Sequence, residues 1–118
     1  MKFLCVVYEE PSGLGPQTET EAQNLVNEHL DYDETLRQSG HWLIAQALQP
    51  VETATTVRVR NGKISITDGP FAETKELLGG FVLIEAKDME EAVQVAARIP
   101  SARMGFIQVR RVYAFEKQ

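Results

Sequence analysis

Thr55-Thr56-Val57-Arg58-Val59-Arg60-Asn61-Gly62-Lys63-Ile64-Ser65-Ile66-Thr67 decides how the rest of the chain divides. Two alternating runs flank Asn61-Gly62, the pair that a two-residue type I′ turn demands because both of its positions need positive φ. So short a loop fixes the register: Val59 faces Ile64 and Val57 faces Ile66 on one side. Arg58, Arg60 and Lys63 share the other side with Thr56, Ser65 and Thr67, a face that is either solvated or able to meet an anion. Set apart as a closed hairpin, the stretch leaves a simple order of elements around it.

Upstream, residues 2–8 are apolar on both alternating faces, with Phe3, Cys5 and Val7 on one and Leu4, Val6 and Tyr8 on the other. That pattern marks a central strand. Pro11 to Pro16 reads as loop. A helix begins near Thr18 or Thr20, since Thr18 and Glu21 have capping-box spacing. Ala22, Leu25, His29, Tyr32 and Leu36 form its apolar stripe, and Gly40 stops it. His41 to Leu48 is a second strand, closed by Pro50.

Downstream, residues 67–76 hold a turn, Phe71 and four ionisable side chains. Gly79-Gly80 leads into a strand over residues 81–86, again apolar on both faces. Asp88 to Ile99 is a second helix, capped by Asp88 and closed by Pro100. Gly105 to Phe115 is the last strand. Residues 1–118 thus form one domain of α+β class, a ferredoxin-like βαββαβ order with an inserted β-hairpin. Right-handed crossovers put both helices on one face of the sheet. The other face is too apolar to stay open, so a homodimer is expected, packed sheet to sheet as a dimeric α+β barrel.

Composition narrows the function. The formal charge of -5 over 118 residues argues against direct nucleic-acid binding, which needs clustered Lys and Arg. No segment approaches the ~20 apolar residues of a membrane span, and the short first apolar run breaks at Glu9-Glu10-Pro11, unlike a signal peptide. A cytoplasmic setting is the expectation. Cys5 is the one cysteine and reads as a small buried hydrophobe. His29 and His41 lie on different elements with no Cys or carboxylate spacing to complete a tetrahedral set, so no metal or other cofactor is expected. No serine has a nucleophile-elbow context and no glycine pattern cradles phosphate.

Asp68-Gly69-Pro70-Phe71-Ala72-Glu73-Thr74-Lys75-Glu76 resembles the signature of the DGPF (DGPFAETKE) proteins of the YCII-related superfamily. Ser39-Gly40-His41, Leu48-Gln49-Pro50, Ala54 to Gly62 and Ala97 to Ala102 are similar to that family as well. The resemblance implies a ferredoxin-like dimeric α+β barrel. It also implies an association with extracytoplasmic-function sigma factors, beside which DGPF proteins are often found. In enzyme-like members of the superfamily a histidine on the first helix pairs with an aspartate near the end of the second. His29 matches that histidine in position. The segment Ala96-Ala97-Arg98-Ile99-Pro100 holds no carboxylate, so the aspartate does not carry over.

Asp68 is the candidate replacement, either orienting the His29 imidazole as a general base or only bonding its own turn. The expected site is a pocket between the sheet and the first helix. His29 and Asp68 are its catalytic pair, and Tyr32, Arg58 and Phe71 line it. A small polar or anionic organic molecule is the expected ligand, with a lyase- or isomerase-type proton transfer as the enzyme version. The alternative is a non-catalytic accessory protein of sigma-factor-dependent transcription initiation.

Overall fold

The computed structural model describes residues 1–10, 15–69 and 77–117. In chain order the elements are β1 (Lys2–Glu9), α1 (Glu19–Ser39), β2 (Trp42–Ala47), β3 (Thr55–Arg60), β4 (Lys63–Asp68), β5 (Leu77–Glu85), α2 (Met89–Ala97) and β6 (Gly105–Arg111). Phe71, with Glu73, Lys75 and Glu76, lies outside the described residues. Four strands form an antiparallel sheet in the order β2-β5-β1-β6, and β3 and β4 form a sheet of their own. The β1-α1-β2 crossover leaves a slot that β5 fills, and β5-α2-β6 straddles β1. This is the split βαβ arrangement of a ferredoxin-like α+β fold.

Local chemistry sets the helix ends. Thr18 Oγ1 accepts the Glu21 amide at 3.1 Å, which satisfies one of the unpaired donors at the start of α1, and the Glu21 carboxylate accepts the Gln17 amide at 2.6 Å, which holds the chain entering the helix. Gly40 closes α1 in the left-handed region at φ 82°, where a side chain would be strained. Asp88 caps α2 by accepting the Glu91 amide at 2.9 Å. Pro100 then starts a 3₁₀ turn, Pro100–Arg103.

Side-chain alternation on β1 divides the sheet into two faces. Phe3, Cys5 and Val7 are buried with Val82 and Ile84 of β5 beneath Leu36 of α1 and Ala92, Val95 and Ala96 of α2. Ile99 seals the end of α2 in the same core. On the opposite face Leu4 pairs with Leu83 and Val6 with Phe81; all four are only half-buried. Burial pushes the Cys5 thiol up to about 11, in keeping with a packing role.

Two strand ends differ from the sequence reading by several residues. β5 begins at Leu77 rather than Phe81, taking Gly79 and Gly80 into the ladder, where Gly80 pairs with both Val7 and Ala47. A Cβ on Gly80 would come 2.6 Å from the Gln46 carbonyl oxygen, so glycine permits the close approach of β2. β6 stops at Arg111 rather than Phe115 because its partner runs out: Arg111 faces Phe3, and the Val112 amide bonds to Lys2, the first residue of β1. In the hairpin, Asn61 and Gly62 take φ of 53° and 74°, and Val59 faces Ile64 and Val57 faces Ile66. Among the described residues no helix is long and apolar enough to cross a membrane.

Gly105 is tighter still. A Cβ there would overlap the Tyr8 carbonyl oxygen, a backbone atom that cannot swing away, whereas a Cβ on Gly79 would meet only the end of the Glu9 side chain. Gly105→Ala is therefore expected to lower unfolding stability by about 2 kcal/mol or more. Gly79→Ala is expected to cost clearly less. Urea unfolding of the two variants makes the comparison.

Candidate functional site

α1 does not lie flat on the sheet along its whole length. Near its middle a cavity of about 420 Å³ opens between the helix and the strands. Leu25, Val26 and Leu30 form its apolar roof, residues 45–47 of β2 and Gly79 and Gly80 of β5 its floor. His29 and Asp33 reach it from α1, Glu9 from the end of β1 and Ser101 from the turn after α2. The charged side chains among these are carboxylates, so the walls are apolar with an acidic edge.

His29 is the chemically distinctive group. Its Nε2 lies 2.7 Å from Ser101 Oγ, a bond that holds the ring against the cavity. Burial keeps the imidazole below its ordinary pKa, offset in part by the negative charges of Asp33 and Glu28, while Arg103 adds to the lowering. Arg103 is itself tied to Glu28 at 2.7 Å. A neutral imidazole at neutral pH can accept a proton, as general-base work requires. Asp33 sits one turn along the same helix face, and burial raises its pKa, offset by His29 and Arg37. One cavity thus holds a base that stays unprotonated more readily than usual and an acid that keeps its proton more readily than usual.

The other expected site residues lie elsewhere. The Tyr32 hydroxyl donates to the Val95 carbonyl at 2.7 Å, and its ring packs against the core; it ties α1 to α2 and does not line the cavity. Asp68 is exposed at the end of β4, opposite Thr55. Among the described residues it is neither in the cavity lining nor one of the charges that act on the His29 ring. Arg58 sits half-buried on the same hairpin, away from the lining. Phe71 falls outside the described residues. His41 bridges elements instead, with Nδ1 2.7 Å from Ser39 Oγ and Nε2 3.0 Å from Glu91.

Two site residues escaped the sequence reading. Asp33 carried a usable signal, since a carboxylate four residues after a histidine shares its helix face. Ser101 carried almost none: it is an ordinary serine after a proline. It lies one residue past the segment Ala96 to Pro100 in which the relatives' aspartate was looked for, and its hydroxyl meets the histidine. Among the described residues no group of three or more His, Cys, Asp or Glu side chains is placed to hold a metal ion.

Comparison with known proteins adds three findings. A family model described as the YCII-related domain matches residues 1–116. An uncharacterized protein of Rhizobium meliloti (strain 1021) is 28% identical over 102 residues, covering 86% of this chain and 82% of its own length. Among solved structures, a 5-chloro-2-hydroxyhydroquinone dehydrochlorinase from Burkholderia phenoliruptrix AC1100, in complex with 2,5-dihydroxybenzoquinone, is similar in fold. It has a TM-score of 0.53 and 20% identity, over 96% of this chain and 94% of that one.

The coupling between Asp33 and His29 has a definite sign. The Asp33 carboxylate favours the charged imidazolium, so its removal leaves burial less opposed. Asp33→Asn is expected to move the His29 titration to still lower pH, and Glu28→Gln to move it the same way by less. An NMR titration of the ring signals reads both; a shift to higher pH in Asp33→Asn would contradict the assignment.

Proposed function

The chain belongs to the YCII-related family, and on that premise we propose that the cavity under α1 binds a small polar organic molecule and that His29 removes a proton from it. The observation that carries this reading is a half-buried imidazole of lowered pKa, held by Ser101, at the wall of a cavity of about 420 Å³. Because Glu9 and Asp33 are the charged carboxylates of the lining, an uncharged ligand fits better than an anion. Asp33 takes the part expected of Asp68, as the carboxylate that acts on the ring.

The reaction class that suits these groups is elimination or isomerisation. His29 accepts a proton from a C–H or O–H of the ligand. The electron pair left behind forms a double bond as a group on the neighbouring atom departs with its bonding pair, which is a lyase step. Return of the proton to another carbon makes the same site an isomerase. The dehydrochlorinase of similar fold, solved with 2,5-dihydroxybenzoquinone, supports a hydroxylated six-membered ring as the first ligand class to try. The resemblance of Asp68-Gly69 and the residues after them to the DGPF signature supports reading the chain as a DGPF-type member, with β3 and β4 as an inserted hairpin. The apolar open face of the sheet meets that of a second copy, closing a dimeric α+β barrel.

A thermal-shift screen of hydroxylated and halogenated ring compounds tests the ligand class. A compound at a hundred times its Kd stabilises by about 2.7 kcal/mol, and wild type is expected to show such protection where His29→Ala does not. Equal protection of both proteins would remove His29 from the site. No protection by any compound would favour the accessory-protein reading. Where turnover is found, its acid limb is expected below the ordinary histidine range, because only the unprotonated ring accepts the proton and burial keeps it so to lower pH.

A further inference from the structure

The β3–β4 hairpin is inside out within its own chain. Its polar side is the better covered: Thr56 and Arg58 are half-buried, and the Thr56 hydroxyl donates to the Gly69 carbonyl at 2.8 Å. Its apolar side faces solvent, with Val57 63%, Val59 56%, Ile64 70% and Ile66 67% exposed. The cross-strand pairing gathers these four on one face as a continuous aliphatic patch. An isolated two-stranded hairpin is marginal in water, and a patch of this kind marks a contact surface rather than a free one.

The dimensions of the whole chain show more surface than a compact monomer of this size carries. The radius of gyration is 16.4 Å, against about 13.5 Å for a compact domain of this length. The accessible surface is 8923 Å², against about 6,400 Å² for a compact monomer of this mass. The surplus of about 2,500 Å² exceeds the roughly 600–1,000 Å² that each partner contributes to a standard stable interface. A single chain of this shape has the surface of a protomer.

We propose that the β3–β4 hairpin is a docking arm whose aliphatic face, Val57, Val59, Ile64 and Ile66, seats on a second copy of this chain. The arm extends the sheet-to-sheet dimer proposed above and rests on it in naming the same partner. It adds a contact that the open face of the main sheet does not supply. The short connection after β2, with the 3₁₀ turn Val51–Thr53, carries the arm away from its own sheet, and a two-fold axis makes the exchange reciprocal. Thr56 and Arg58 then keep the polar side toward the parent chain.

Light scattering and sedimentation of the full chain test the arm. Wild type is expected to be a dimer at micromolar concentration. Val59→Glu/Ile64→Glu is expected to raise the dimer dissociation constant by roughly a hundredfold, since two carboxylates would have to enter an apolar contact. Ser65→Glu, on the opposite side of the hairpin, is expected to leave it unchanged. A wild-type monomer overturns the arm and the sheet-to-sheet dimer together, while a dimer that the double substitution does not weaken overturns the arm alone. Should the double variant not fold, Ile64→Cys keeps the question open to measurement, because the buried Cys5 thiol reacts slowly. Labelling is expected to be slow where the dimer is populated and fast on dilution; equal rates at both concentrations overturn the arm.

Discussion

β1 is bonded along both of its edges, to β5 from Lys2 onward and to β6 from Phe3 onward, and every other feature is positioned by that double pairing. A strand held on both sides has no freedom to slip, because a shift of one residue would move Phe3, Cys5 and Val7 from the core to the open face. The helices can then cover only the face those three define. Ile84 and Ile99, fully buried on that face, fix the depth of α2, and Leu36 fixes the end of α1. The cavity exists because the covering is uneven. α1 is anchored by Leu36 and by the Tyr32 hydroxyl near its C-terminal end, and it stands off the strands where His29 lies.

The same standoff makes the imidazole chemically useful. Full burial among aliphatics would leave a histidine inert, and full exposure would leave it titrating as in water. His29 has one nitrogen satisfied by a hydroxyl and lies beside an open volume, with acids near enough to temper the effect of burial. A serine is a mild partner for this purpose. It holds the ring without contributing the full negative charge that would raise the imidazole pKa, as an aspartate at the same place would.

The parts of this architecture that were legible in the sequence are those decided by local chemistry. Asn61-Gly62 specified its hairpin because few other residues tolerate the backbone there. Thr18, Gly40 and Asp88 marked helix ends because caps act over three or four residues. His29 stood out because a titratable group on an apolar stripe is conspicuous. What escaped depends on partners distant in sequence. The end of β6 is set by where β1 begins, and the start of β5 by how closely β2 can approach a glycine. Pairing Asp68 with His29 assumed a proximity that the sequence has no means to specify, while Asp33, one helical turn away, was within reach of a spacing argument. Ser101 became visible only once the turn after α2 was folded back beneath α1.

Gly80, in the floor of the cavity, is glycine for reasons of strand spacing, and this has a bearing on how such a site can diversify. A side chain at Gly80 collides with the β2 backbone. Substitution there is therefore closed off by the sheet itself, whatever ligand would benefit. The roof is different: Leu25, Val26 and Leu30 lie on a helix whose fold does not depend on their shape, and Val26 and Leu30 are exposed. Changes of ligand size in proteins built this way should accumulate on the helix, above an unchanging base, with the floor serving as the fixed reference against which the roof is recut.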